Sequence, residues 1–158
     1  METKKTAKKT KSSSASKPTA VKRVRKAKAA KVVAHAVGRR KSSVARVWLR
    51  KGTGAFIVNG RDALSYFDTD IARQDATIPL HIIASSVEYD IDVNVYGGGV
   101  CSQAGAVKLG ISRAFLASDE SMRILLRQHN LLTVDSRVKE RKKYGQKAAR
   151  RRFQFVKR

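Results

Sequence analysis

The positive charge of this chain is gathered at its two ends, and that distribution decides which part of it can fold. Residues 1–36 carry 12 Lys and Arg against one acid, residues 37–136 carry 12 against 10, and residues 137–158 carry 11 against one. Blocks of like charge with few apolar side chains cannot bury enough surface to offset the entropy of ordering them. The middle segment is the one able to build a core. The chain therefore reads as one globular domain over 37–136, with a Lys-rich extension before it and an extended basic tail, 137–158, after it. A net charge of +23 on 158 residues is far more than solubility requires and predicts a polyanionic partner.

The N-terminal segment has no aromatic residue and few large apolar ones, Val21, Val24, Val32 and Val33 among them. We expect it to be disordered when free, with Ser12 to Ser16 and Pro18 as a hinge between two Lys clusters. A nucleic-acid tether suits it best; a solubilising tail and an organelle transit peptide are the alternatives. The opening METKKTAKKTKSSS lacks the apolar stretch of a secretory signal, and no apolar run approaches the roughly 18 residues that cross a bilayer. The expectation is a soluble intracellular protein with no membrane partner. The single Cys101 can form no internal disulfide, and three scattered His residues offer no metal-ligand spacing, so neither a metal nor a cofactor is expected.

Within the middle segment, Ser43 to Lys51 alternates, with Ala45, Val47 and Leu49 on one face and Val44, Arg46, Trp48 and Arg50 on the other, as a half-buried strand does. Gly52-Thr53-Gly54 supplies a turn into a second strand, Ala55 to Val58, so the two read as a hairpin closed by Asn59-Gly60. Asp62 is placed to cap a short helix through Phe67. Pro79 suits the first turn of another, Leu80 to Ser85, although that stretch can also be extended. Residues 87–96 set Val87, Tyr89, Ile91, Val93 and Val95 against Glu88, Asp90, Asp92, Asn94 and Tyr96, which predicts a strand with one wet face. After Gly97-Gly98-Gly99, the stripe Ala104, Val107, Ile111, Ala114 and Phe115 predicts a long helix. Ser118 or Asp119 can cap a further helix carrying Met122, Leu125 and Leu126, with Asn130 as its stop. The fold class is α+β, a single domain with helices packed on one sheet.

Three patterns invite chemistry. Glu88, Asp90 and Asp92 share a strand face at a spacing that can hold a divalent cation, but the solvated face of a strand accounts for them better. The triple glycine precedes a helix whose N-terminal N–H groups can bind phosphate. The nearest approach to a nucleotide-binding loop, Gly105 to Gly110 followed by Ile111-Ser112, lacks the lysine and falls inside the helix, which counts against a small-molecule kinase. Cys101, His81 and His129 form no catalytic set with residues near them in sequence.

The third pattern is Gly38-Arg39-Arg40-Lys41-Ser42-Ser43, whose planar forks, point charge and hydroxyls are the groups that grip phosphate oxygens. Arg46, Trp48 and Arg50 can continue that surface, Trp48 by stacking on a base. In the tail, Arg137, Arg141, Lys142, Lys143, Lys147, Arg150, Arg151, Arg152, Lys157 and Arg158 are interleaved with Tyr144, Phe153 and Phe155. So much like charge should stay extended until a polyanion orders it, with steep loss of affinity in salt. A free basic nucleic-acid-binding protein, including one that compacts DNA, fits the arms alone.

The segments GRRKSSVARVWLRKGTG, FIVNGR, VYGGGVCSQAGAVKLGISRAF, DESMR and DSRVKERKKYGQKAARRRFQFVKR occur in one order. Over roughly Val37 to Arg158 the chain resembles the family of the ninth protein of the small ribosomal subunit, in its bacterial form. The resemblance implies a domain related to the second domain of ribosomal protein S-five, no catalytic activity and no small-molecule substrate. It implies a seat on the head of the small subunit in a cytoplasmic ribosome, among ribosomal RNA and neighbouring head proteins. The C-terminal arm would thread through ribosomal RNA and bring its end to the anticodon stem-loop of the peptidyl-site transfer RNA. By matching position, Gly38 to Ser43, through Arg39, Arg40, Lys41 and Ser42 above all, and the cations from Arg137 to Arg152 would meet ribosomal RNA, with Arg46 continuing that surface. Lys157 and Arg158 would touch transfer RNA, Arg158 at a backbone phosphate. The family tail usually reads RRRPQFSKR, and here Phe153 stands for the proline and Val156 for the serine.

Overall fold

The computed structural model describes residues 31–83 and 88–157. The expectations for residues 1–30, for the link 84–87 and for Arg158 lie outside the described residues. The elements, in chain order, are β1 (Val32–Arg40), β2 (Ser43–Lys51), β3 (Phe56–Val58), β4 (Arg61–Asp62), α1 (Ala63–Tyr66), α2 (Asp70–Ile82), β5 (Tyr89–Tyr96), α3 (Val100–Ser118), a 3-10 turn (Glu120–Met122) and α4 (Arg123–Gln128). The strands form a single five-stranded sheet in the order β1-β2-β5-β3-β4, with the helices packed on it. The class is α+β, as expected.

The long helix and the two alternating strands fall where the periodicity puts them. On β2, Ala45, Val47 and Leu49 are buried, and on β5 Ile91, Val93 and Val95 are buried; Arg46, Asn94 and Tyr96 are exposed on the opposite face. All five residues of the α3 stripe are fully buried, Phe115 edge-to-face with Tyr89 at 5.5 Å between ring centroids. Each large apolar side chain taken wholly out of water stabilises the fold by about 1.5–3 kcal/mol. Asp119 caps the 3-10 turn by accepting from the Ser121 N–H at 3.1 Å. Asn130, at φ 54°, is the left-handed residue that ends α4.

Three expectations are corrected. First, a strand begins at Val32, inside the segment read as an arm, and Arg39 and Arg40 close it instead of lying in a loop before the first strand. The reason is size. β1 lies so close to α3 that a Cβ on Gly38 would sit 2.0 Å from the Ala106 carbonyl oxygen and 2.4 Å from the Gly110 nitrogen. The inner face of β1 must therefore be small, Ala34 and Gly38, and small residues have the composition of a flexible tail.

Second, β2 and β3 are not a hairpin. β2 pairs antiparallel with β1 and with β5, while β3 runs parallel to β5 and antiparallel to β4. A three-residue strand cannot satisfy the backbone of a nine-residue one, whereas β5 pairs with β2 from Val44↔Tyr96 to Lys51↔Tyr89. The loop that carries the chain past β5 is held by Asp90, whose Oδ1 accepts from the Thr53 N–H at 2.8 Å and the Ala55 N–H at 3.0 Å.

Third, Pro79 lies in the last turn of α2, not the first turn of a later helix. Ala72, Ala76 and Pro79 recur at i, i+4 and i+7 as the buried stripe of that helix, and its packing against α3 outweighs the hydrogen bond that a proline removes.

Candidate nucleic-acid interface

Two features that are far apart in the sequence meet at one end of the sheet. The chain reverses from β1 to β2 through Lys41 and Ser42, with Arg40 opposite Ser43 and Lys41 at φ 53°. The glycine loop before α3 lies against this turn, and Gly97 (φ 75°) and Gly98 (φ 63°) require a conformation that side chains disfavour. A Cβ on Gly97 would also strike the Ser42 carbonyl oxygen at 2.5 Å. Buried Ser43 ties the two segments together: its hydroxyl donates to the Gly97 carbonyl at 2.9 Å and lies 2.5 Å from the Ser102 hydroxyl. The structure thus places exposed Lys41 and Ser42 beside the N-terminal turn of α3, with exposed Arg39 on β1, two residues before Lys41. Cations, a hydroxyl and helix N–H groups at one corner make a surface suited to phosphate.

Arg40 is used differently from its neighbours. Its guanidinium donates to the Cys101 carbonyl at 3.2 Å and lies 3.8 Å from Asp75 and 3.5 Å from Asp135, while Lys108 pairs with Asp75 at 3.0 Å. Its side chain also covers Gly105. Arg40 therefore joins β1, α2, α3 and the start of the tail, and its charge is largely answered within the protein. The run Gly105 to Gly110 is a packing feature: both glycines are buried inside α3, Gly105 beneath Arg40 and Gly110 against Gly38 and Val47.

Arg46 is exposed on the open face of the sheet, between Val37 of β1 and Asn94 of β5. Trp48 is half-buried there, its ring centroid 5.2 Å from that of His35. Arg50 is half-buried on the same strand, opposite Asp90. Asp92 lies opposite Trp48 on that face, and among the described residues no group of His, Cys, Asp and Glu is arranged to hold a metal ion.

The tail leaves the domain through a locked root. Around Asn130, the Leu131 N–H reaches the Leu126 carbonyl and the Asn130 N–H the Arg127 carbonyl, each at 3.0 Å, the paired bonds of a left-handed helix stop. Leu131 then turns into the core, where it is buried. Asp135 accepts from the Arg137 backbone N–H at 3.1 Å and from its Nε at 2.9 Å, and also faces Arg40. The hydrogen bonds from Arg137, first the side chain's and then the backbone's, hold the Asp135 carboxyl far below the ordinary carboxylate range.

Beyond the root, residues 136–157 form neither helix nor strand, with turns around Tyr144 to Arg150. Arg141, Lys142, Lys143, Lys147, Arg151, Arg152 and Lys157 are exposed. Arg150 is held by Glu140, whose Oε2 accepts from its Nε at 2.9 Å, and this contact lowers the Glu140 pKa and raises that of Arg150. Lys147 lies over the Phe153 ring, 5.6 Å from its centroid, while Tyr144 and Phe155 are almost wholly exposed.

Sequence reasoning named the cations and missed most of the groups that organise them. Asp75, Lys108 and Asp135 set the place of Arg40, and Ser102 helps to set that of the glycine loop; Ser43, read as a hydroxyl for phosphate, is instead buried, and its hydroxyl is spent on Gly97 and Ser102. The string Asp135-Ser136-Arg137 is a local signal for the clasp at the root; nothing local points to Asp75.

The family model described as ribosomal protein S9/S16 matches residues 38–158. The protein named small ribosomal subunit protein uS9 of Cytophaga hutchinsonii is 50% identical over 126 residues, covering 80% of this chain and 98% of that protein. Its namesake in Chlorobium chlorochromatii is 50% identical over 128 residues, 81% of this chain and 99% of the relative. That of Borreliella burgdorferi is 52% identical over 121, or 77% and 89%.

Proposed function

The chain belongs to the ribosomal protein S9 family, whose members are structural, non-enzymatic constituents of the small ribosomal subunit, and from that premise we propose how its two basic surfaces divide the work. Membership of a bacterial-type family carries a cytoplasmic ribosomal location and ribosomal RNA and proteins as partners. The corner built by Arg39, Lys41 and Ser42, continued by Arg46 on the open sheet face, docks the domain on ribosomal RNA of the head. The cations from Arg137 to Arg152 carry the tail through RNA, and Lys157 and Arg158 reach the anticodon stem-loop of the peptidyl-site transfer RNA.

The observation that supports this reading best is the contrast at Asp135: a root fixed by a helix stop, a buried leucine and a two-arginine clasp, followed by an exposed cationic chain. A tail that must arrive at one place needs a fixed origin. From Ser136 to the end it spans at most roughly 80 Å when fully extended, enough to leave the domain far behind. The groups at the tip would meet phosphate, which carries no sequence information, so they add grip on any transfer RNA without choosing among codons.

Removing Lys157 and Arg158 should leave assembly intact and weaken peptidyl-site binding. Because two phosphates then keep their counterions, the slope of log affinity against log salt should fall by roughly 1.5. Filter binding of transfer RNA to purified small subunits at several salt concentrations measures both, and an unchanged affinity and slope would refute the role of the tip.

A further inference from the structure

The chain's charge inverts across its own sheet. Residues 52–92 carry seven acids, Asp62, Asp68, Asp70, Asp75, Glu88, Asp90 and Asp92, against two bases, Arg61 and Arg73, within a protein of net charge +23. In the fold this segment supplies β3, β4, α1 and α2 and runs into the central strand β5. Asp75 is turned to Arg40 and Lys108, Glu88 leads into β5, and Asp90 and Asp92 lie on it, so the acids left toward the edge of the sheet opposite to β1 are Asp62, Asp68 and Asp70. Asp62, Asp68 and Asp70 are exposed there. Arg73 is largely engaged inside the protein, its Nε donating to the Phe67 carbonyl at 2.6 Å and its Nη1 to Asp70 at 2.9 Å.

The same edge carries apolar surface out of keeping with so charged a molecule. Leu64 is 62% exposed and Ile71 69% exposed, and beside Leu64 opens a cavity of about 320 Å³ whose lining is mainly apolar, with Phe56, Leu64, Phe67 and Ala76 joined by Asp62 and Arg73. An apolar recess next to protruding aliphatic side chains is a place for another side chain to enter. RNA presents phosphate outward and has no aliphatic knob to offer, and the exposed carboxylates of Asp62 and Asp68, beside an Asp70 that is paired with Arg73, would repel it over the roughly 8 Å reach of an exposed charge at physiological salt.

We propose that the β3–β4–α1–α2 edge is a protein-docking surface, turned away from RNA, that takes a basic segment of a neighbouring small-subunit protein. An apolar side chain of that segment fills the recess beside Leu64, and its Lys and Arg side chains answer Asp62, Asp68 and Asp70. The charge of the edge selects the partner: a basic protein is attracted by the carboxylates that keep nucleic acid off. The proposal depends on membership of the small subunit and not on where the tail goes.

The test places a benzophenone amino acid at Leu64, and separately at Ile71, in the full chain within purified small subunits, followed by irradiation and peptide mapping. The expected result is a cross-link from both positions to one protein segment with net positive charge. Cross-linking mainly to ribosomal RNA, or no cross-link from either position in subunits shown to contain the chain, would overturn it. In the same subunits, Asp62→Lys, Asp68→Lys and Asp70→Lys together should lower the cross-link yield from Leu64 by about fivefold, the scale of three screened surface pairs reversed. An unchanged yield would overturn the electrostatic part. Because the readout involves neither Lys157 nor Arg158, a failure here and a failure of the tail reading are distinguishable.

Discussion

The contact of β1 with α3 and the tail beyond Ser136 are both poor in large apolar side chains, yet one is packed and the other exposed. At the first, smallness is the means of packing: Gly38 and Gly110 let a strand and a helix meet backbone to backbone. In the second, nothing lies opposite. The pairs that shape the tail, Asp135 with Arg137 and Glu140 with Arg150, are between charged groups open to water. Such pairs contribute little each. A low apolar content therefore says nothing about order until the geometry of the neighbour is known.

The comparison breaks first at Gly38. Gly38→Val drives side-chain atoms into the backbone of α3, and the strain should exhaust the roughly 5–15 kcal/mol by which a domain of this kind is stable. Loss of the cooperative urea transition of the free chain is the expected outcome, and a midpoint near that of the parent would refute the close-contact account. The next effect sets one phenylalanine against another. Phe115→Ala empties a fully buried site and should cost about 3–5 kcal/mol. Phe155→Ala, on a wholly exposed ring, should change the same transition by less than about 0.5 kcal/mol. Equal losses would mean that the tail folds onto the domain.

The smallest effect sharpens the account of the root. Because Arg137 lowers the Asp135 pKa, the clasp contributes above the ordinary carboxylate pKa, near 3.8, and is lost only as pH falls through the depressed value. The Asp135 carboxyl carbon shift should accordingly stay flat through the range where free aspartate titrates, with the Arg137 amide protected from exchange there. A normal inflection near pH 4 would show that the clasp does not persist in solution.

Much of this was legible in the chain itself. Alternation from Ser43 to Lys51 and from Tyr89 to Tyr96, and the stripe from Ala104 to Phe115, report which side of an element is wet, a local property that survives without knowledge of the partner. The cations at Arg39, Lys41 and along the tail were visible for the same reason, since exposed charge needs no neighbour to be recognised. β1, the parallel pairing of β3 with β5 and the place of Pro79 were not, because each is decided by what another element requires: a thin strand under a helix, a long partner for a long strand, a stripe of alanines against α3. The use of Arg40 as an internal tie belongs with these. Its role follows from Asp75 and Asp135, which come from α2 and from beyond α4.

By itself, then, the sequence determined the family, through motifs that match residue by residue, and the α+β class and the concentration of charge in the arms, since composition and periodicity are summed over many residues and tolerate local exceptions. The tertiary structure alone decided that the β1–β2 turn and the glycine loop form one corner, that the tail starts from a locked root, and that Asp62, Asp68 and Asp70 stand exposed toward the opposite edge of the sheet. These are matters of position in three dimensions, set by backbone pairing and close packing between segments that sequence distance does not relate.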